Sequence, residues 1–360
     1  MVVIRIPGYD VAESVEIAST LGPMPRLRRS DCSAPGIRRR GRGRGFDYVD
    51  EDGEPVDDPD VVERIAVLSI PPGWRDVWIC ADPLGHLQAT GIDAAGRKQY
   101  LYHSHWRERR DQQKFDQMLA FARALPRIRR RVTQDLAEDE LSQDRVLAAS
   151  VRLLDRGFFR VGGEEYAEDN DSYGLATMRR RHVSLNGTEI VFDYEAKGGQ
   201  RRVQSIVDPE LGSLIRRLKR RRGGGQELLA YRNGRRWVDV RSDDVNAYIK
   251  SAAGDGFSAK DFRTWSATVL AAVALGAMPV PESKTARRRR ISDAVKGVAA
   301  FLGNTPAVCR SSYIDPRVFD RYRGGATIAE ALRRAGSLDE AYMPSAQRRI
   351  ERAVMRLVSG

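Results

Sequence analysis

The chain has 360 residues, 41% hydrophobic and 31% charged, with a formal net charge of +12. This length exceeds the needs of one ordinary domain, and the composition supports a packed core, which excludes a disordered chain. The 61 lysines and arginines, mostly arginine, point to a polyanionic partner, nucleic acid ahead of a membrane surface.

Cys32, Cys80 and Cys309 are too few and too far apart for a disulfide framework or a zinc site, so reduced thiols in the cytoplasm are expected. Of the four histidines, His103 and His105 sit close together with no cysteine near, which leaves no metal set. The N-terminus carries no signal-peptide pattern. The longest apolar run, Ser266–Val280, is too short to span a bilayer, contains Pro279 and reads as a buried helix.

Along the chain, residues 1–30 show no periodicity and are expected to form a poorly ordered extension. Arg26 to Arg44 hold eight arginines and one acid, and Asp47 to Asp60 hold eight acids and no base. Such blocks read as solvated, flexible segments, the first able to brush a phosphate backbone. The runs DVWICAD, HLQATGID and KQYLYH, separated by Gly and Pro turns, predict a small antiparallel sheet. In the third run Tyr100 and Tyr102 share one face with Gln99 and Leu101 opposite, and Arg97 and Lys98 lie just before. Aromatic, amide and basic groups on one strand suit a DNA groove, although the run taken alone reads as an ordinary half-buried strand.

From Trp106 the pattern turns helical, with Phe115, Met118, Leu119, Ala122 and Leu125 on one face. A β-rich domain over 31–108 and a larger domain over 109–360 are therefore expected. EDELSQDRVLAASVRLLDRGFF is a second amphipathic helix. Asn186-Gly187 and AKGGQ mark two turns of a three-stranded sheet inside the helical domain, with Lys197 at the second tip. RRLKRRRGGG (216–225) and KTARRRR (284–290) are dense basic runs, solvated faces or grips on a phosphate backbone. The closing IERAVMRLVSG reads as a basic amphipathic helix packed on the larger domain. The expected fold is α+β, a small β-rich domain followed by a mainly helical one.

LGNTPAVCRSSYIDPRV holds a tyrosine, Tyr313, among an arginine and two serines, an unusual setting for a packing residue. A phenol can attack phosphorus and hold a DNA end covalently. Such a transfer needs cations around the equatorial oxygens and a proton donor for the leaving oxygen. Candidates are Arg160 in GFFRVGGEEY, beside Gly162 and Gly163 that permit close backbone approach, and Arg263 in AKDFRTWSATVLAA, at the start of an apolar helix. Lys197 on its hairpin tip and Asn304 at the head of the tyrosine segment complete the set.

These blocks resemble the type IB DNA topoisomerases of the bacterial and poxvirus-like kind. SAPGIRRRGRGRGFDYVDEDG and IPPGWRDVWICADPLGHLQATGIDAAGRKQYLYH are similar to the family's N-terminal clamp, and YGLATMRRRHV, KDFRTW and LGNTPAVCRSSYIDPRV to its tyrosine-recombinase-like catalytic domain. The resemblance runs from about Ser30 to about Gly325. It implies that Tyr313 is the nucleophile that bonds the 3′ phosphate, that Arg160 and Arg263 hold the non-bridging oxygens, and that Lys197 protonates the leaving 5′ oxygen. Asn304 falls where many relatives carry histidine and the bacterial branch commonly carries asparagine; a neutral amide donates at any pH. Gly163 and Glu165 stand where poxvirus members carry lysines that help read a preferred site, which puts strict sequence preference in doubt. Gln99, Tyr100 and Tyr102, with Arg97 and Lys98, match the groove-contacting strand, and Arg287, Arg288, Arg289 and Arg290 would grip the backbone of double-stranded DNA. A monomer in the cytoplasm, associated with the nucleoid, relaxing supercoils of either sign without ATP or metal, is what the resemblance implies. The rival readings are a tyrosine recombinase or integrase and a non-catalytic DNA-binding protein of the same fold.

Overall fold

The computed structural model of the chain describes residues 26–43, 45–163, 171–336 and 344–360. Two compact units divide between Lys114 and Phe115. The fold is α+β, with antiparallel sheets in both units.

The first unit is built on a five-stranded antiparallel sheet in the order β2-β1-β3-β4-β5. Its elements are β1 (Ile37–Arg42), β2 (Gly45–Val49), α1 (Pro59–Val67), β3 (Arg75–Ile79), β4 (Leu87–Ile92) and β5 (Lys98–Tyr102). The three strands expected from the Gly and Pro turns are β3, β4 and β5. One face packs Ile37, Val77, Ile79 and Ala89 against Ile65 of α1, with Leu101 alongside. The opposite face buries Trp78, Cys80 and Leu87 beside Tyr102. The period-two split of Leu101 from Tyr102 follows from alternate side chains pointing to opposite faces.

The end of the arginine block and the start of the acid block are ordered strands, which corrects the reading of them as flexible segments. They form a hairpin, β1 on β2, in which Arg40 faces Asp47 and Arg42 pairs with Asp47 at 3.4 Å. Of the acid block only Asp47 lies in β2, where it meets arginines of β1, and Asp58 caps α1. Arg39 turns inward, donates to the carbonyls of Pro71 at 3.1 Å and Trp74 at 2.6 Å, and stacks on Phe46. Of residues 1–30, only 26–30 lie within the described residues, and there Arg28 N donates to Leu84 O and His86 N to Arg28 O.

The long helix α2 (Ser104–Leu136) runs across the division, and α3 (Gln143–Gly157), β6 (Val183–Asn186), β7 (Glu189–Ala196) and β8 (Gln200–Val207) follow. The second unit continues with α4 (Pro209–Arg220), the hairpin β9 (Ala230–Asn233) and β10 (Arg236–Asp239), α5 (Ser242–Ala253) and α6 (Ala259–Gly276). It closes with α7 (Lys284–Leu302), α8 (Pro306–Ser312), α9 (Pro316–Arg323), α10 (Ala329–Ala335) and α11 (Pro344–Ser359). Strands β6, β7 and β8 make the expected three-stranded sheet. Several helices open on an acceptor side chain followed by proline, as at Asp208-Pro209, Thr305-Pro306 and Asp315-Pro316, where the cap satisfies a backbone donor that the helix cannot. Helix α6 is buried, with Phe262, Trp265, Ala267, Ala271 and Leu275 in the core, as its apolar run requires. Helix α11 docks through Ile350, Val354 and Val358, and its Glu351 accepts from Arg129 of α2.

Much of the run 216–225 is structural and not a solvated face. Arg221 is 7% exposed and donates to the carbonyls of Leu218 and Leu228; Arg217 donates to Asp139 O, Arg216 to Gly187 O and Lys219 to Arg180 O. These cations close loops by satisfying carbonyls that sequence periodicity does not reveal. No helix among the described residues is long and apolar enough to cross a membrane.

Candidate active site

A pocket of about 260 Å³ in the second unit is lined by Arg160, Lys197, Arg263 and Tyr313, together with Lys260 and Tyr173. Four of the five residues singled out for chemistry thus meet, although up to 153 residues of chain separate them. The described lining residues include no carboxylate.

Each side chain is delivered by a different device. Helix α3 ends at Phe158, whose left-handed backbone (φ 57°) turns the chain so that Arg160 follows directly. The strand-like stretch after it is pinned by Leu175 N to Arg160 O at 2.9 Å and Ala176 N to Val161 O at 2.7 Å. Gly162 and Gly174 cross here with their backbones in contact, and a β-carbon on Gly174 would overlap the Gly162 Cα. Gly162 therefore fits the expected close approach. A β-carbon at Gly163 would meet open space, so that part of the expectation fails. Glu165 lies outside the described residues.

Lys197 sits in the turn between β7 and β8, closed by Gly199 N to Ala196 O at 3.1 Å. Arg263 lies one turn into α6, whose first turn is fixed by Ser258 N and Oγ donating to Asp261 Oδ2 at 2.8 and 3.0 Å. Tyr313 caps α8, with its N–H on Cys309 O at 3.1 Å. Five residues along α6 from Arg263, the Thr268 hydroxyl accepts from Asp315 N at 3.1 Å and contacts Tyr313 O at 3.3 Å. One helix thus carries the arginine and anchors the backbone of the tyrosine. The Arg263 guanidinium lies over the Tyr313 ring, 5.4 Å from its centre.

The last turn of α7 organises the cations. Gly303 adopts a left-handed conformation (φ 63°) and Asn304 N returns to Ala299 O at 2.9 Å, which leaves the carbonyls of 301–303 pointing outward. Phe301 O accepts from Arg202 at 2.7 Å, Leu302 O from Arg263 at 2.8 Å and Gly303 O from Arg160 at 2.9 Å. Three arginines converge on the negative end of one helix dipole. Arg263, 4% exposed, also donates to Phe158 O, while its Nε has no partner among the described residues. Burial, then the charge of Arg160, lowers the Arg263 pKa to about 10, so it stays charged at neutral pH. Burial also lowers Arg202 and, with the opposite sign for an acid, raises the phenol of Tyr194 and pushes the Cys309 thiol up to about 11.

Asn304 does not line the pocket. It stands behind Arg160, its Oδ1 accepting from the guanidinium, and its buried Nδ2 has no partner among the described residues. Arg202 does not stand out in the sequence. Its only signal is an arginine five residues past the hairpin lysine, in a strand where a neighbour of the same kind, Arg201, is exposed and paired with Asp193.

Within the first unit, Tyr100 and Tyr102 stack with ring centres 6.3 Å apart, Tyr100 being 46% exposed, and Lys98 approaches the Tyr100 ring. Arg97 and Gln99 both engage Asp93, at 2.9 Å each. In the second basic run, Arg287 donates to Pro281 O and Arg323 O at 2.6 Å each, and Arg290 contacts Met278 Sδ at 3.1 Å, while Arg288 and Arg289 are exposed. His103 and His105 stack on each other, and no group of three metal-ligating side chains occurs among the described residues.

An arginine-lined pocket holding a phenol, on an α+β frame, defines a phosphodiester-handling protein, and comparison with known proteins gives the family. Residues 103–335 match the catalytic core of eukaryotic DNA topoisomerase I, and residues 45–93 match the N-terminal domain of bacterial DNA topoisomerase IB. DNA topoisomerase 1B of Acanthamoeba polyphaga mimivirus is 30% identical over 294 residues, covering 80% of this chain and 88% of that relative. DNA topoisomerase 1 of Schizosaccharomyces pombe is 30% identical over 154 residues, 42% of this chain and 18% of the relative. DNA topoisomerase 1B of vaccinia virus (strain Copenhagen) is 23% identical over 145 residues, 39% and 46% of the two chains. The chain belongs to the type IB DNA topoisomerases, DNA-binding isomerases.

Proposed function

We propose that the protein relaxes positive and negative supercoils in double-stranded DNA by cutting one strand through a 3′-phosphotyrosyl intermediate, letting the duplex rotate, and resealing. The Tyr313 oxygen attacks the phosphorus, the bond to the 5′ oxygen breaks, and the Lys197 ammonium gives that oxygen its proton. The phenolic proton leaves to water. Arg160 and Arg263 hold the non-bridging oxygens, and the unpartnered Nδ2 of Asn304 is a neutral donor for the same phosphate once DNA enters. Resealing is the same step reversed, so the phosphodiester bond energy is kept and neither ATP nor metal is consumed. A monomer of recombinase-like catalytic fold, working on the nucleoid in the cytoplasm, fits this reading. The five-stranded sheet of the first unit serves as the clamp, with Tyr100, Tyr102 and Lys98 toward the groove.

The observation that carries the reading is the convergence of Arg160, Lys197, Arg263 and Tyr313 on one pocket with no described carboxylate in its lining. The test is relaxation of a negatively supercoiled plasmid in EDTA without ATP, run beside Tyr313→Phe. Relaxation by the parent and none by the variant is expected, along with an adduct that leaves a free 5′ hydroxyl. Equal relaxation by both proteins would remove Tyr313 from the role.

A further inference from the structure

Arg202 lies on β8 opposite Tyr194 of β7, five residues beyond Lys197 on the same hairpin. Its Nη2 donates to Phe301 O at 2.7 Å and to Gln204 Oε1 at 3.2 Å. Its Nη1 rests on Gly303, where a β-carbon would overlap it. The side chain does not line the nucleophile pocket. It joins two parts that do act there. One is the hairpin whose tip carries Lys197. The other is the 301–304 turn, whose Gly303 O and Asn304 Oδ1 hold Arg160.

A half-buried cation beside Arg160, with no carboxylate bonded to it among the described residues, is a poor choice for stability alone. An apolar side chain would fill the space with less desolvation. What such a side chain could not do is bind the outward carbonyl of Phe301 and so fix the hairpin to the end of α7. We infer that Arg202 is a positioning residue for the cleavage step: by locking the hairpin to the last turn of α7 it sets where Lys197 meets the leaving oxygen. This rests on the reading of Lys197 as the proton donor.

The test uses single-turnover cleavage of a defined duplex at a mapped site, with either oxygen or sulfur as the 5′ bridging atom. A sulfur leaving group departs as thiolate and needs no proton donor. The full chain carries Arg202→Met, Arg202→Lys or, as control, Lys197→Ala. Displacing a donor by about 1 Å costs on the order of 10²-fold. That loss is expected for Arg202→Met on the oxygen substrate with DNA affinity unchanged, and most of it should return on the sulfur substrate. Arg202→Lys, which keeps the charge and can reach one carbonyl, should show a smaller loss with the same recovery, and it serves if Arg202→Met does not fold. Recovery for Lys197→Ala but not for the Arg202 variants overturns the inference while the Lys197 reading stands. Absence of recovery for Lys197→Ala itself removes the Lys197 reading and the inference with it. A parental cleavage rate in Arg202→Met also overturns the inference.

Discussion

Replacing Gly303 by alanine tests whether the end of α7 is built as a socket for arginine. Two separate costs arise there. The backbone sits at φ 63°, ψ 51°, where a β-carbon costs about 1–2 kcal/mol. The same β-carbon also overlaps Arg202 Nη1. That atom is the far end of a flexible side chain, so it can move, but moving it breaks the bond to Phe301 O, and a bond from a charged donor is worth about 1.5–3 kcal/mol. Gly303→Ala should therefore cost about 2.5–5 kcal/mol, the sum of the two ranges. In an Arg202→Ala background only the backbone cost remains, about 1–2 kcal/mol. Denaturant unfolding of the four proteins of this cycle, followed by a signal from the second unit, gives the coupling directly. The expected coupling is about 1.5–3 kcal/mol. If Gly303→Ala costs the same in both backgrounds to within about 0.5 kcal/mol, Arg202 does not constrain position 303 and the socket argument fails.

Two further outcomes follow from the same geometry. The Cys309 thiol has its pKa raised by burial, from 9.0 to about 11, so between those values the folded state keeps a proton that the unfolded state has lost, and stability contributed below pH 9 falls as pH rises. Arg263, lowered to about 10, acts in the opposite direction above that pH, and the raised Tyr194 and lowered Lys219 also bear on this range, so the thiol's share is read as the difference between the parent and a variant without it. Cys309→Ala should flatten the fall in unfolding free energy across that window; an unchanged slope would show that the thiol is not the source. In the basic run of α7, neutralising exposed Arg288 and Arg289 to glutamine should reduce the slope of log affinity against log salt by roughly 0.9 for each phosphate that no longer meets a cation. Arg287→Gln should leave that slope alone and lower the melting temperature, because its guanidinium is held by Pro281 O and Arg323 O. A larger drop in salt slope from Arg287→Gln than from the exposed pair would reverse the assignment.

Local signals carried most of the fold. The period-two run at Lys98–Tyr102, the Asn186-Gly187 turn and the apolar face of α6 depend on neighbours in sequence, and the structure has each of them. What was not legible depended on partners distant in the chain. The arginine block of β1 looks like solvated charge in the sequence because nothing local shows that β2, with Asp47, pairs against it and that the 71–74 carbonyls accept from Arg39. Arg221 and Lys219 look like surface cations because no pattern marks which carbonyls a fold leaves open. The hairpin β9–β10 is short and polar, with burial confined largely to Ala230, and gives no periodic signal. The candidate site divides in the same way. Tyr313, Arg263, Arg160 and Lys197 stand out by chemical context, whereas Arg202 is visible only once β8 and the end of α7 are side by side.

The same arrangement explains why this cluster suits a reaction at phosphorus. Three guanidinium groups share the last turn of α7, whose dipole offsets about half of one charge. About two and a half positive charges therefore stay without a bonded anion among the described residues at that turn, with Lys197 and Lys260 on the pocket wall adding to the same field. In the proposed reaction a resting phosphodiester brings one negative charge, and attack by the Tyr313 oxygen with loss of its proton moves the phosphoryl group toward two. On that proposal the field is more nearly matched by the transition state than by bound DNA, which is the condition for lowering a barrier and not merely tightening a complex. Because Arg160 and Arg263 are already held by carbonyls at fixed distances, they need little rearrangement when that second charge develops. An apolar replacement for Arg202 would relieve repulsion in the free protein but release the Lys197 hairpin from the end of α7. The same change should then stabilise the fold, or leave it unaltered, while slowing both cleavage and resealing.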